Sequence, residues 1–315
     1  MFKNVEELRN LIRQGKTNEE IIKAQIEYLN SADYGVSRRK TIKENETDMI
    51  IFHEGYMDRN MNVSFTGNRI VDIIYYHDDT EIYSIVIDLI RKNMDKPGFG
   101  IRSMMRIIRD YFSISEDSPY KELYDFYKKM LPNQPYFLRE HLPYILTNYK
   151  CSNFDGDFTE FGKAYLYNIA YHSTKKDEYK DASERYRSSL DFDKLDKMGD
   201  IRLNLSEIKG AGLAACTEYA FLEQNILSFL GFEVYMVGGK IKRENGQEEA
   251  HNFNVVRRSD GIFEIIDTAQ VVRLELPTVH DPEQLIGLKD IEATNGYGHK
   301  ISYYIGSQKS IDLKQ

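Results

Sequence analysis

The sequence has no tryptophan and only two cysteines, Cys151 and Cys216, among its 315 residues. Two cysteines are too few for a disulfide framework, and a chain without an export signal is not expected to form even one bridge. The segment Met1–Leu8 indicates an amphipathic helix and lacks the apolar core of a signal peptide. No apolar run approaches the roughly 18 residues that cross a bilayer. We therefore expect a cytoplasmic protein that does not enter a membrane.

An excess of basic residues is also missing. The chain has 42 Lys and Arg residues against 50 Asp and Glu residues, a formal net charge of −8. This balance argues against a nucleic-acid binder that works through a broad basic field. Frequent Lys, Ile, Asn and Tyr are typical of a low-GC bacterial or phage coding sequence. With 41% hydrophobic and 29% charged residues, the composition is that of a globular protein with one large domain or two smaller ones.

The first part of the chain is predicted to be mainly helical. Val5, Leu8, Leu11 and Ile12 stand at helical spacing before Gly15. Thr17–Glu20 is typical of a capped start, here of a second helix that runs to about Asn30. Further helical stripes cover residues 82–90, 101–112 and 157–171. The segments 49–52 and 61–65 are compatible with two short strands or with an irregular flap.

A charged segment over residues 174–199 separates this region from the rest of the chain. It indicates either a solvated helix or a connection between two domains. We place the domain boundary near residue 195. This gives a mainly helical region over residues 1–195, a candidate surface for a protein partner, and a second domain over residues 196–315.

The second domain begins with one predicted helix over residues 216–230, which Gly231 ends. Three strand-like runs follow, over residues 232–237, 252–256 and 262–266. Asn245-Gly246 and Asp260-Gly261 lie between these runs and are strong hairpin turn signals. A helix followed by an antiparallel meander predicts an α+β fold.

Cys216 is the first candidate for chemistry, because it follows the small residues 210–215 and begins the predicted helix. The unpaired N–H groups and the dipole at a helix N-terminus stabilise a thiolate there. The same N–H groups can hold the oxyanion of a tetrahedral intermediate. The alternative is a buried structural cysteine beneath the helix.

His251 and Asp267 change the balance between these alternatives. His251 stands at the predicted head of one strand, where it can act as the base for a thiol. Asp267 closes the next strand, where it can orient the imidazole and stabilise its charged form. By itself, His251 could be a surface residue at a hairpin end and Asp267 a turn or cap residue. Because neighbouring antiparallel strands can bring the two residues together, we predict that Cys216, His251 and Asp267 form a triad.

The other candidates are weaker. None of the remaining histidines has the spacing of a paired metal site, so no metal or other cofactor is expected. Gly296–His299 indicates a turn before a strand over residues 301–305, not a phosphate loop. Cys151 has no companion at triad spacing, and Glu218 is expected to be structural. Three residues are weak candidates for an oxyanion donor: Asn204, Tyr219 and Asn252.

Three blocks of the sequence together resemble the transglutaminase-like superfamily of papain-related cysteine enzymes. The first runs from Gly212 to Ala220 and opens the helix, the second is His251-Asn252-Phe253, and the third runs from Phe263 to Thr268. The resemblance covers roughly residues 203–270. It implies a helix packed on an antiparallel sheet, with Cys216 as the nucleophile, His251 as the base and Asp267 as the orienting carboxylate.

The blocks also depart from the pattern of this superfamily. Phe253 and Phe263 stand where many members have tryptophan, and Thr268 replaces a common proline. Gly212 precedes the cysteine by four residues instead of two. These departures leave the triad intact but do not assign a subfamily.

The resemblance implies an enzyme that cleaves an amide through a thioester on Cys216. Its substrate would be a peptide or protein amide. Water as acceptor gives a protease, amidase or deamidase, whereas an amine acceptor gives a transglutaminase; we favour hydrolysis. Two alternatives stay open. One is a non-catalytic binding or scaffold module on the same fold, and the other is a delivered effector that deamidates or crosslinks a host protein.

Overall fold

The computed structural model describes residues 1–29, 42–44, 47–57, 63–74, 80–96, 99–117, 175–187 and 216–305, together with a few isolated positions. The predicted helix over residues 157–171 lies largely outside the described residues. Cys151, Asn204, His77, His141 and His172 also lie outside them.

The chain forms two compact units, each built from separate segments. The first contains residues 1–42, 77–111 and 216–315, and the second contains residues 43–76 and 112–215. The predicted division into 1–195 and 196–315 does not coincide with these units. The first helices of the chain belong to the same unit as the C-terminal sheet, which the order of elements along the sequence does not indicate.

Four helices precede the sheet in the first unit: α1 (Val5–Arg13), α2 (Asn18–Leu29), α3 (Thr80–Lys92) and α4 (Ile101–Tyr111). All four match predicted helical stripes. The side chain of Asn4 caps α1, because its Oδ1 accepts the backbone N–H groups of Glu6 and Glu7 at 3.0 Å each.

In the second unit, the uncertain segment between residues 47 and 68 forms strands. The strand β2 (Thr47–Met57) pairs antiparallel with β3 (Val63–Ile74), and β1 (Ile42–Glu44) lies on the other side of β2. The charged segment contains a helix, α5 (Asp177–Arg187). Most of its described side chains are exposed, which agrees with the solvated helix, one of the two predicted alternatives.

The C-terminal part contains helix α6 (Cys216–Phe229) and six strands: β4 (Glu233–Arg243), β5 (Glu248–Arg257), β6 (Phe263–Asp267), β7 (Val272–Leu276), β8 (Ile291–Thr294) and β9 (Lys300–Ile305). They form one antiparallel sheet in the order β7-β6-β5-β4-β9-β8. The edge strands β7 and β8 approach each other, so the sheet curls towards a barrel. Helices with this sheet make an α+β fold, as predicted.

Helix α6 is buried on nearly all sides, and this explains why it is mostly apolar. Strands β4 and β5 pack on it from the sheet, and α2 and α4 pack on it from the helical segments. A helix covered on both sides needs apolar residues around its whole circumference. No helix in the described part of the chain has the length and apolar character needed to cross a membrane.

Candidate active site

The three predicted residues lie on three adjoining elements. Cys216 is the first residue of α6, His251 lies on β5, and Asp267 ends β6. Strand β5 begins at Glu248, so His251 is inside the strand and not at its head as predicted. Strands β5 and β6 are paired up to Asn254 and Ile266, which brings His251 and Asp267 together beyond the last pair.

His251 and Asp267 form a buried pair. The Nε2 atom of His251 lies 2.6 Å from Oδ2 of Asp267, and each residue is only 2% exposed. Charge-assisted hydrogen bonds of this length are among the stronger ones in proteins. The predicted contact across the two strands is therefore present, and it fixes which ring nitrogen faces the carboxylate.

Two further donors hold the carboxylate of Asp267. The hydroxyl of Tyr303, from β9, donates to Oδ2 at 2.8 Å, and the backbone N–H of Gln270 donates to Oδ1 at 3.1 Å. Tyr303 is completely buried. Its burial and the negative charge of Asp267 raise the pKa of its phenol well above the usual range. Both carboxylate oxygens therefore accept hydrogen bonds from neutral or positively charged groups, and Asp267 has little freedom to rotate.

The electrostatics of His251 favour the imidazolium. Burial alone would lower the pKa of His251. The charge and the hydrogen bond of Asp267 raise it by more than burial lowers it, and Cys216 raises it further. The pKa of His251 is therefore raised well above 6.5. The other ring nitrogen, Nδ1, is buried without a hydrogen bond of normal geometry. Cys216 is close enough to His251 to raise its pKa. Because Nε2 is bound to Asp267, Nδ1 is the ring nitrogen that can exchange a proton with the thiol.

Cys216 is not in a disulfide, and the residue is half-buried. Its Sγ lies 4.0 Å from Oγ1 of Thr217, and that hydroxyl accepts a 2.6 Å hydrogen bond from Nδ2 of Asn252. The first N–H groups of a helix have no partner inside the helix. The start of α6 therefore presents N–H groups beside the thiol, and Asn252 holds this first turn to β5.

The turn that follows Asp267 is supported from a second turn. Val271 has a φ of 58°, which is unusual for a β-branched residue. The backbone N–H of Gly296 donates to the carbonyl of Gln270 at 3.0 Å, and Nδ2 of Asn295 donates to Oε1 of Gln270 at 3.0 Å. A Cβ at position 296 would lie 2.5 Å from Cβ of Val271. The predicted turn at Gly296–His299 thus packs against the turn that carries Asp267.

A second buried carboxyl group lies beside the triad and was not predicted. Glu223, on α6, has Oε1 2.5 Å from Oγ1 of Thr268 and Oε2 2.9 Å from Nδ2 of Asn254. Burial raises the pKa of Glu223 to about 8, and the charge of Asp267 acts in the same direction. Its carboxyl is therefore mostly protonated at neutral pH. Glu218, which was expected to be structural, is also buried.

Within the part of the chain that the structure describes, no group of three or more His, Cys, Asp or Glu residues could hold a metal ion. A scan against protein-family models, a search of curated proteins and a search of solved structures found no match to the chain. Any functional assignment therefore depends on the geometry and chemistry of the chain's own residues.

Proposed function

We propose that the protein is a cysteine-dependent amide hydrolase or acyl transferase in which Cys216, His251 and Asp267 form the catalytic triad. The observation that carries this proposal is the buried 2.6 Å pair of His251 and Asp267, whose free imidazole nitrogen is next to a thiol at a helix start. A thiol, a base and a carboxylate that orients the base are the parts that acyl transfer needs.

The reaction would proceed in two steps. In the first, the thiolate of Cys216 attacks the carbonyl carbon of the amide, and the carbonyl electrons move to oxygen. The N–H groups at the start of α6 would stabilise this oxyanion. The C–N bond then breaks, and the leaving amine takes the proton of the His251 imidazolium. A thioester on Cys216 remains.

In the second step, His251 takes a proton from water, and the resulting hydroxide attacks the thioester carbonyl. The C–S bond breaks, which releases a carboxylic acid and regenerates Cys216. With a glutamine side chain as substrate, the first step releases ammonia and the product is glutamate. An amine in place of water would instead give a new amide. We favour water as the acceptor.

The architecture supports a transglutaminase-like version of this chemistry. Helix α6 presents the cysteine, and it packs on an antiparallel sheet that carries the histidine and the aspartate on neighbouring strands. This is the arrangement that the sequence resemblance implies. A peptide or protein amide as substrate and a cytoplasmic location belong to the same proposal.

The proposal is tested by the reactivity of Cys216. The native protein is treated with iodoacetamide from about pH 5 to pH 9, and the modified cysteines are mapped by mass spectrometry. Cys216 is expected to react rapidly near neutral pH, because the neighbouring His251 can take the proton of its thiol. Cys151 serves as a reference within the same chain. His251→Ala is expected to slow the alkylation of Cys216 about tenfold or more.

A Cys216 that reacts no faster than an ordinary thiol with a pKa near about 8.5 would contradict the proposal. The same holds if His251→Ala leaves the rate unchanged. The fold would then serve as a binding module, with the triad residues as buried structural groups. If the expected reactivity is found, screening of peptide, glutamine and small amide substrates follows.

A further inference from the structure

We propose that Glu223 is a positioning residue whose carboxyl group holds the three elements of the triad in register. The inference rests on the proposed function, since it concerns how Cys216 is held over His251 and Asp267. It is carried by the contacts of one completely buried side chain. Those contacts reach the strand that holds His251 and the residue that follows Asp267.

The position of Glu223 along α6 places it on the same face as the nucleophile. Ala220 and Glu223 follow Cys216 by four and seven residues, which is the spacing of one helix face. Asn254, from β5, uses both hydrogens of its amide on this face. One binds the carbonyl of Ala220 at 2.8 Å, and the other binds Oε2 of Glu223 at 2.9 Å.

The second carboxyl oxygen reaches the turn that follows β6. Oε1 of Glu223 lies 2.5 Å from the hydroxyl of Thr268, the residue directly after Asp267. Asn254 is on the strand that carries His251, three residues further along. One carboxyl therefore ties the helix of the nucleophile to the strand of the base and to the end of the strand that carries Asp267.

The neutral form of the carboxyl can keep both contacts. The hydroxyl of Thr268 donates to Oε1 of Glu223 at 2.5 Å. With the carboxyl proton on Oε1, that O–H donates to Thr268 instead, while Oε2 still accepts from Asn254. Asp267, at the end of β6, and Tyr303, on β9, are titratable groups that interact with Glu223, and Asn254 faces it from β5 without titrating. Because burial keeps Glu223 mostly protonated at neutral pH, it binds both partners without placing a second charge beside Asp267.

Two substitutions separate positioning from simple packing. Glu223→Gln keeps the shape and the neutral charge, with one acceptor for Asn254 and one donor for Thr268. Glu223→Leu keeps a similar volume but forms no hydrogen bonds. Glu223→Leu leaves the buried amide of Asn254 and the hydroxyl of Thr268 without their partner, which costs stability. A structural role alone therefore predicts a less stable leucine variant that still reacts like the wild type when it is folded.

The rates are measured with two probes at Cys216, alkylation by iodoacetamide and acylation by p-nitrophenyl acetate, and stability is measured by urea unfolding. We expect Glu223→Leu to lower both rates about tenfold or more in a folded protein, because the reacting groups are displaced. Glu223→Gln should restore the rates to within about threefold. Gln25→Leu is the matched control: Gln25 is a buried amide bound to the carbonyl of Phe229 at the far end of α6. It should lower stability and leave both rates unchanged.

Wild-type rates in Glu223→Leu would overturn the inference while the proposed function stands. Equal losses in Glu223→Gln and Glu223→Leu would also overturn it, because the neutral hydrogen bonds would then not matter. If the leucine variant does not fold, Thr268→Val removes the hydroxyl partner without changing volume and should slow both reactions several-fold; an unchanged rate contradicts the inference. A wild-type Cys216 no faster than in His251→Ala overturns the proposed function itself, and the positioning role with it.

Discussion

Asp267 and Glu223 are both buried carboxyl groups beside the candidate triad, and their surroundings differ. Asp267 accepts hydrogen bonds from the imidazole of His251, the hydroxyl of Tyr303 and a backbone N–H group. Glu223 forms hydrogen bonds with two neutral groups, the hydroxyl of Thr268 and the amide of Asn254. Asp267 acts as a negative charge on its neighbours, whereas burial raises the pKa of Glu223 to about 8.

This comparison shows that burial does not decide the charge of a carboxyl group by itself. A cationic partner compensates for lost hydration, and neutral donors do so only in part. The two groups therefore suit different tasks. Asp267 stabilises a charged imidazole, and Glu223 joins structural elements without adding a charge. Substitutions at or beside one of the two groups can therefore test these tasks separately.

The largest effect is expected from Asp267→Asn. The amide keeps the size of the side chain but removes the charge that favours the imidazolium and can hold the ring in the wrong tautomer. Loss of the corresponding charge in a serine triad costs about 10⁴-fold in rate, and we expect a loss of about 10³-fold or more in acylation by p-nitrophenyl acetate.

Glu223→Gln, which removes the other carboxyl, is the control for Asp267→Asn and should keep most of the rate. Similar losses in both variants would mean that the two carboxyl groups do not have separate tasks. A wild-type rate in Asp267→Asn would mean that Asp267 has no part in activating His251.

The second prediction concerns stability and pH. The pKa of Glu223 rises from its ordinary value of 4.5 to about 8 on folding, so the folded state binds a proton that the unfolded state has lost. The stability from this group is complete below about pH 4.5 and is lost as the pH rises through about 8. Glu223→Gln does not titrate. Its stability relative to the wild type should therefore increase with pH, by up to about 1.4 kcal/mol per pH unit.

Urea unfolding at several values between about pH 5 and pH 8 measures this difference. Gln25→Leu, a buried change without a titrating group, should differ from the wild type by a constant amount over the same range. A constant difference for Glu223→Gln as well would show that Glu223 is already charged in the folded protein.

The contrast between these groups also explains what the sequence could predict. Each triad residue stands at the end or near the start of an element with strong local signals: Cys216 after small residues, and Asp267 after an apolar run. The hairpin turn at Asn245-Gly246 then joins β4 to β5, and the turn at Asp260-Gly261 joins β5 to β6. Local patterns were therefore sufficient to predict the His251–Asp267 contact.

Glu223 and Tyr303 carry no such local signal. In the sequence, Glu223 comes after an apolar segment, and a glutamate on the solvated face of a helix would look the same. Its burial results from contacts with distant segments on both sides of α6. Tyr303 is 36 residues from Asp267 in the chain, and the two side chains meet because of the order of the strands in the sheet. The compact units also do not follow the order of the chain, since helices from early segments pack on α6. Strand β7 is short, and the alternation in Val272–Leu276 was too brief to predict it.

The smallest effect is expected from Tyr303→Phe, which removes one of the three donors to Asp267 and leaves Glu223 with its partners. The lost hydrogen bond to a charged group should lower the free energy of unfolding by about 1.5–3 kcal/mol. The acylation rate should fall about tenfold, because Asp267 keeps His251 and the Gln270 N–H but is held less firmly. Tyr235→Phe is the matched control, since its hydroxyl binds Glu233 on β4. If both variants lose the same activity, the hydroxyl of Tyr303 acts through general stability and does not orient the carboxylate.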